Sequence, residues 1–152
     1  MWDSLQSDPE LFQFVTKPHS RGFLFGIIKE YFTQSTHMRK IEREMQQAIC
    51  NLSNGQTWRK SNTEVAKNSE GDTSIYLHGN RIAFVSQFGD ITLSSCGWDT
   101  VTTKSRLNAI LDTFLHGFHV WQRNFTWYIG NTGNCGAYKN ADVFFDGYTI
   151  SR

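Results

Sequence analysis

The segment from Ser74 to Leu115 places the strongest constraint on the fold, because strand-like and helix-like patterns follow each other within it. Short runs of β-branched and aromatic residues are separated by breaks at His78-Gly79-Asn80 and Phe88-Gly89-Asp90. Runs divided in this way are typical of β-hairpins, since glycine adopts the positive φ of a tight turn and asparagine tolerates it. The pattern predicts three short strands in front of a helix.

The helix is predicted from apolar residues that recur at helical spacing after Gly97-Trp98. We expect Thr102 or Thr103 to cap its first turn, because a threonine hydroxyl accepts a hydrogen bond from a free amide there. Gly117 is typical of a residue that follows the end of a helix. The predicted apolar face consists of Leu107, Ile110, Leu111, Phe114 and Leu115.

Further strand-like runs follow the helix and set the fold class. Residues 118–122 and 125–129 form a second predicted hairpin, and residues 143–150 contain the closing strand or strands. The predicted order is β-β-β-α-β-β-β, with helices in front of it. Strands grouped around one central helix are typical of an α+β fold with an antiparallel sheet.

The first part of the chain has helical rather than strand patterns. We divide the chain into a helical N-terminal extension, residues 1–55, and an α+β domain, residues 56–152. The clearest amphipathic helix of the extension covers residues 35–52. Its apolar stripe could bind a partner helix, form a homo-oligomer or pack on the chain's own sheet, and the pattern alone favours none of these. The stripe consists of Met38, Ile41, Met45, Ile49 and Leu52.

Composition and local patterns exclude several classes of protein. The net charge of +1 does not call for a nucleic-acid partner of the chain as a whole. Cys50, Cys96 and Cys135 are far apart and outside any CxxC pattern, so they support neither a disulfide framework nor a zinc site. No apolar run approaches the roughly 18 residues that span a bilayer, and the acidic start lacks the features of a signal peptide. We therefore expect an intracellular protein without a metal, a cofactor or a membrane partner.

Five segments of the chain resemble a family of small proteins encoded by tailed bacteriophages. Members of that family share a pattern of NTxV, YLHGNxIA, GWxTxTTKxRLN, a WY pair and a final strand, in this order. The resemblance covers the chain from about Trp58 onward. It implies a viral origin and the cytoplasm of an infected bacterium as the location, and it brings no activity with it. The segments are Asn62–Val65, Tyr76–Ala83, Gly97–Leu111, Trp127–Ile129 and Phe144–Ile150.

The functional hypothesis rests on an uneven distribution of charge. Between residues 17 and 60, eight basic residues stand against three acidic ones, whereas residues 61–152 are close to neutral. Together with the phage-like domain, this predicts a non-catalytic accessory protein that binds a host protein or ribonucleoprotein. Inhibition of a bacterial defence system, such as a CRISPR effector, would fit this hypothesis. The expected partner-binding residues are Arg39, Lys40, Arg43, Gln46 and Gln47.

Two other classes of function stay open. The basic segment 17–60 could bind nucleic acid through backbone phosphates. His78, Asp99 and Lys104 could form a small active site, although GxxxxGK[ST], HExxH and GxSxG motifs are absent. The start of the central helix is either an ordinary cap or a candidate anion site of free amides, hydroxyls and cations. The residues of that candidate site are Thr102, Thr103, Lys104 and Arg106.

Overall fold

A computed structural model describes residues 38–131 and 139–152. The helices predicted before residue 38, and Cys135, lie outside these described residues. The described elements are two helices and nine strands. In chain order they are α1 (Lys40–Asn51), β1 (Thr57–Lys60), β2 (Thr63–Lys67), β3 (Thr73–Leu77), β4 (Asn80–Val85), β5 (Ile91–Leu93), α2 (Val101–Phe114), β6 (Phe118–Arg123), β7 (Thr126–Asn131), β8 (Lys139–Val143) and β9 (Tyr148–Ile150).

Six strands form an antiparallel sheet in the order β1-β2-β3-β4-β5-β9. Burial alternates from residue to residue in β3 and β5, which is the period-two pattern of strands with one covered face. Helix α1 packs against β2, and α2 packs against β4. The sheet therefore buries its apolar residues beneath the two helices.

The remaining three strands form a smaller antiparallel sheet in the order β6-β7-β8, and β6 packs against α2. Helix α2 thus has strands of both sheets as neighbours. The hydrophobic core is largely aliphatic, and Trp127 and Phe144 add aromatic rings to it. Its largest fully buried side chains are Met45, Ile75, Ile82, Ile91, Leu93, Leu107, Ile110, Leu111 and Ile129.

The α+β class and the antiparallel sheet are confirmed, but five strands rather than three precede α2. The two additional strands, β1 and β2, have weak sequence signals. Strand β1 is an edge strand in which Arg59 and Lys60 are exposed, and β2 uses a threonine, Thr63, at a fully buried position. Neither strand shows the run of large apolar residues on which the sequence pattern depended.

Helix α2 begins earlier than predicted. Its N-cap is Thr100, whose hydroxyl accepts a hydrogen bond of 3.1 Å from the backbone amide of Thr103. Thr102 and Thr103 therefore lie inside the first turn and are not caps. Three nearby threonines meet the chemical requirement for a cap equally well, so the sequence could not distinguish them.

Helix α1 is an integral part of the compact unit that extends from Lys40 to Arg152. The apolar residues of α1 pack into the core of this unit, and the division at residue 55 stays a prediction. Met45 is fully buried, and Ile49 is 5% exposed. Within the described ranges, no helix is long and apolar enough to cross a bilayer.

Candidate functional site

A cleft of about 520 Å³ opens where the β3–β4 hairpin meets the start of α2. Leu77 and Ile82 contribute apolar surface to it and are otherwise almost fully buried. The indole of Trp98 stands at the cleft with 64% of the residue exposed. The lining thus combines an apolar part with polar side chains. The polar lining residues are His78, Asn80, Ser95, Thr100, Thr102 and Thr103.

His78 occupies an unfavourable backbone conformation at this cleft. Leu77 pairs with Asn80, so His78 and Gly79 form the two-residue turn of the hairpin, with φ values of 51° and 81°. This turn lies within the predicted break at His78-Gly79-Asn80. Glycine adopts positive φ freely, whereas a residue with a Cβ loses about 1–2 kcal/mol there. Histidine, asparagine and aspartate are the non-glycine residues that adopt this conformation most often.

A chain of hydrogen bonds joins the side chain of His78 to the domain interior. Arg106 Nε donates to Thr63 Oγ1 over 3.3 Å, and the Thr63 hydroxyl donates to Asn62 Oδ1 over 3.1 Å. Asn62 Nδ2 then lies 3.2 Å from His78 Nε2. Because an amide nitrogen only donates, Nε2 accepts this bond. The neutral imidazole therefore has its proton on Nδ1.

The inner end of this chain is a buried ion pair between the two helices. Arg106 Nη1 donates to Glu42 Oε1 over 2.6 Å, and each side chain is only 4% exposed. The Ser105 hydroxyl donates to the same carboxylate oxygen. The low dielectric of the interior strengthens such a pair, but it makes the loss of either partner costly. The pair thus fixes α1 against α2.

A second carboxylate holds the loop that carries Trp98. Asp146 accepts hydrogen bonds from the backbone amides of Ser95, Cys96 and Gly97, and from the Ser95 hydroxyl. Partial burial acts to raise the pKa of the Asp146 carboxyl, but these hydrogen bonds outweigh burial and lower the pKa below its usual range. The loop between β8 and β9 is therefore tied to the loop in front of α2.

The outward side of α1 forms a basic surface near the start of that helix. We define the α1 basic surface as Lys40, Arg43 and Gln47 of α1 together with Arg39, the residue directly before the helix; all four residues are exposed. Gln46 differs from the other predicted partner-binding residues, because its amide donates to the backbone oxygen of Ala109 over 2.8 Å. Gln46 therefore joins α1 to α2, and the other four residues face outward.

The residues of the candidate anion site are only partly brought together. Thr102 and Thr103 line the cleft. The Lys104 ammonium lies 5.8 Å from the ring centre of Trp127, and Arg106 is bound to Glu42 in the core. The helix cap therefore explains the position of Thr103, and the buried ion pair explains the position of Arg106.

Only one of the three residues of the candidate active site is among the described residues that line the cleft. His78 lines the cleft, whereas Asp99 and Lys104 are not among the described residues that line it. In the part of the chain that the structure describes, no three His, Cys, Asp or Glu side chains are grouped closely enough to hold a metal ion. Sequence reasoning did not identify Asn80, Ser95 or Thr100 as lining residues. Their position beside strand ends and a helix start is the signal that could have found them.

Comparison with known proteins identifies the family of the chain. No curated protein and no solved structure matches it. One family model, described as Kyanoviridae Gp96 protein, matches residues 38–151. The match begins before the resemblance near Trp58 and includes α1, in agreement with the packing of that helix, and it confirms the expected viral origin. The chain belongs to the Kyanoviridae Gp96 family of phage proteins.

Proposed function

We propose that this phage protein is a non-catalytic accessory factor that binds an acidic surface of a host protein or ribonucleoprotein. One observation carries the proposal: α1 packs its apolar stripe into the domain and leaves the α1 basic surface outward. Exposed groups of like charge steer a partner of opposite charge and select against wrong partners. The proposed binding face is therefore Arg39, Lys40, Arg43 and Gln47.

The position of these cations on the helix supports a role in binding. The N-terminus of a helix has a partial positive charge, so Lys40 and Arg43 in the first turn of α1 are unfavourably placed there. Each such placement costs about 0.3–1 kcal/mol at an exposed site. Both residues are exposed, and Glu44 of the same helix interacts electrostatically with each of them. A complementary acidic partner would offset the remaining cost.

The narrower form of the proposal concerns the identity of the host target. A bacterial defence complex, such as a CRISPR effector, would be inhibited if the phage protein occupied a surface that the complex needs. The protein would then act in the cytoplasm of the infected bacterium. Membership in a phage family supports the infected bacterium as the setting. Capture of the host partner identifies the target.

Nucleic acid is a second candidate partner, and the exposed indole of Trp98 favours it. Single-stranded nucleic acids bind through cationic surfaces combined with aromatic rings on which bases stack. Binding of this kind weakens steeply with salt, because the cations release counterions from the phosphates. Nuclease treatment of the captured complex separates this candidate from a protein partner.

Two variants with equal changes in net charge test the proposed binding face. The first replaces Arg39, Lys40 and Arg43 by alanine. The control replaces three exposed arginines outside α1 by alanine, and both variants lose three positive charges. Full-length tagged proteins are used to capture partners from lysate of the infected host, and captured proteins are quantified by mass spectrometry. The control arginines are Arg59, Arg81 and Arg123.

We expect one host protein to be retained by the wild type and the control and to be lost from the α1 variant. Its capture should decrease with salt and survive nuclease treatment. Retention of that protein by the α1 variant would contradict the proposed face. Loss after nuclease treatment would assign the surface to nucleic acid instead.

A further inference from the structure

The cleft beside Trp98 has the chemistry of a ligand site, and its role does not depend on the partner of the α1 basic surface. Its volume of about 520 Å³ lies in the range of small-molecule pockets. Leu77 and Ile82 give it an apolar part. Among the described residues, Trp98 makes no aromatic ring contact, and the residue is 64% exposed. An exposed indole offers a flat face on which another ring can stack.

Polar groups in the lining are available for hydrogen bonds. In the residues 38–131 and 139–152, neither the Asn80 amide nor the Thr102 hydroxyl has a hydrogen-bond partner. The tautomer of His78 adds an N–H donor at Nδ1, because Nε2 accepts from Asn62. Together these groups include donors and acceptors. A purely aliphatic ligand would leave them unpaired, which weakens binding.

The described lining of the cleft also has no fixed charges. No Asp, Glu, Lys or Arg is among the described residues that line it. A strongly anionic or cationic ligand would therefore lose its hydration without gaining an ion pair. A flat ring with a polar edge and no formal charge matches both the exposed indole and the neutral polar groups.

We propose that this cleft binds an uncharged planar heteroaromatic ring with a hydrogen-bonding edge, which is the chemistry of a nucleobase. The ring stacks on Trp98, and its edge bonds to Asn80, Thr102 and His78. Proteins that hold unpaired bases combine stacking on an aromatic side chain with hydrogen bonds to the edge of the base in the same way. The ring can belong to a free nucleoside or to a base of a single strand.

Nuclear magnetic resonance titration of the ¹⁵N-labelled full chain tests this site. The probes are adenosine, cytidine, guanosine and uridine, and N-acetyl-leucine amide serves as the aliphatic control. At least one nucleoside should shift the Trp98 indole N–H and the Asn80 side-chain amide in a saturable manner. Trp98→Ala should weaken the binding of that nucleoside about tenfold or more, because base–aromatic stacking is lost. Asn80→Ala should weaken it as well.

The matched control is Phe125→Ala, because Phe125 is 96% exposed and lies in the β6–β7 turn, outside the cleft lining. This variant should bind the nucleoside as the wild type does. A short single-stranded oligonucleotide of the same base identifies the source of the ring. Binding that is tighter than that of the nucleoside and falls with salt indicates a strand, and equal binding indicates a free nucleoside.

Three results would overturn the proposal. The first is the absence of a saturable shift with every nucleoside at millimolar concentration. The second is the same shift in Trp98→Ala, which would place the binding elsewhere. The third is stronger binding of N-acetyl-leucine amide than of any nucleoside, which would make the cleft a site for an aliphatic side chain of a protein.

Discussion

The buried pair of Arg106 and Glu42 gives the most demanding test of the structure. Arg106→Met removes the guanidinium and leaves the Glu42 carboxylate with only 4% of its side chain exposed. Breaking a buried ion pair on one side costs about 3–5 kcal/mol, because the remaining charge stays buried and loses the opposite charge beside it. The free energy of unfolding of a single domain is about 5–15 kcal/mol, so this loss is a large fraction of the stability.

The expected change is measured by urea unfolding of the full chain, followed by circular dichroism. With an m-value of about 2 kcal/mol/M, a loss of about 4 kcal/mol moves the midpoint by about 2 M. The double variant Glu42→Leu, Arg106→Met should recover most of that loss, since apolar replacement of a buried pair is often neutral or stabilising. Lys60→Met breaks the exposed pair of Lys60 and Glu44 and should move the midpoint much less.

Two outcomes would refute this reasoning. In the first, Arg106→Met lowers the free energy of unfolding by less than about 1 kcal/mol, which is the contribution of an exposed ion pair. The Glu42 carboxylate would then have to be solvated. In the second, the double variant is no more stable than the single variant, so that the loss would come from packing and not from removal of the opposite charge beside Glu42. The double variant therefore separates the electrostatic cause from the steric one.

Three further predictions concern the loops. Asp146→Asn should lower the free energy of unfolding at neutral pH, as measured by urea unfolding. Because the folded-state pKa of Asp146 lies below the ordinary 3.8, the difference from the wild type should be present above pH 3.8 and be lost as pH falls through the folded-state pKa. A difference that stays constant with pH would contradict this. In Asn62→Asp, the proton of the neutral His78 imidazole should move from Nδ1 to Nε2, since a carboxylate only accepts hydrogen bonds. The ¹⁵N chemical shifts of the imidazole distinguish the two tautomers, and an unchanged tautomer would argue against the chain of hydrogen bonds. Phe125→Gly should stabilise the domain by about 0.5–1 kcal/mol, because φ is 62° at this exposed position and an Asn-Gly pair suits the β6–β7 turn. A lower melting temperature of this variant would disprove the prediction.

The sequence predicts those parts of the fold in which local pattern and tertiary position agree. The strands around Gly79 and Gly89 and the helix before Gly117 combine clear apolar periodicity with turn residues, and the structure has them. Strand β1 has exposed Arg59 and Lys60 and, among the described strands, pairs only with β2, so burial leaves little trace in its sequence. Its existence depends on pairing with β2, which no local pattern encodes.

The candidate site was less predictable, because its geometry joins residues that are far apart in the chain. Arg106 looks like a solvated cation at a helix start, yet its partner Glu42 lies 64 positions away. Asn62 and His78 are 16 positions apart and meet only through strand pairing. The sequence identified His78 and Thr102 as residues of interest, and only the fold shows that they line one cleft.

The polar chain also determines which variants can separate the two proposed surfaces. Arg106 contacts Glu42 of α1 at one side and Thr63 at the other, and Thr63 leads through Asn62 to His78 at the cleft. A change at Arg106 therefore disturbs the α1 basic surface and the cleft together, and loss of either binding activity in that variant identifies neither surface. Exposed residues such as Lys40 and Trp98 can be replaced without breaking this chain. Binding that depends on one of them and not on the other therefore assigns a partner to a single surface.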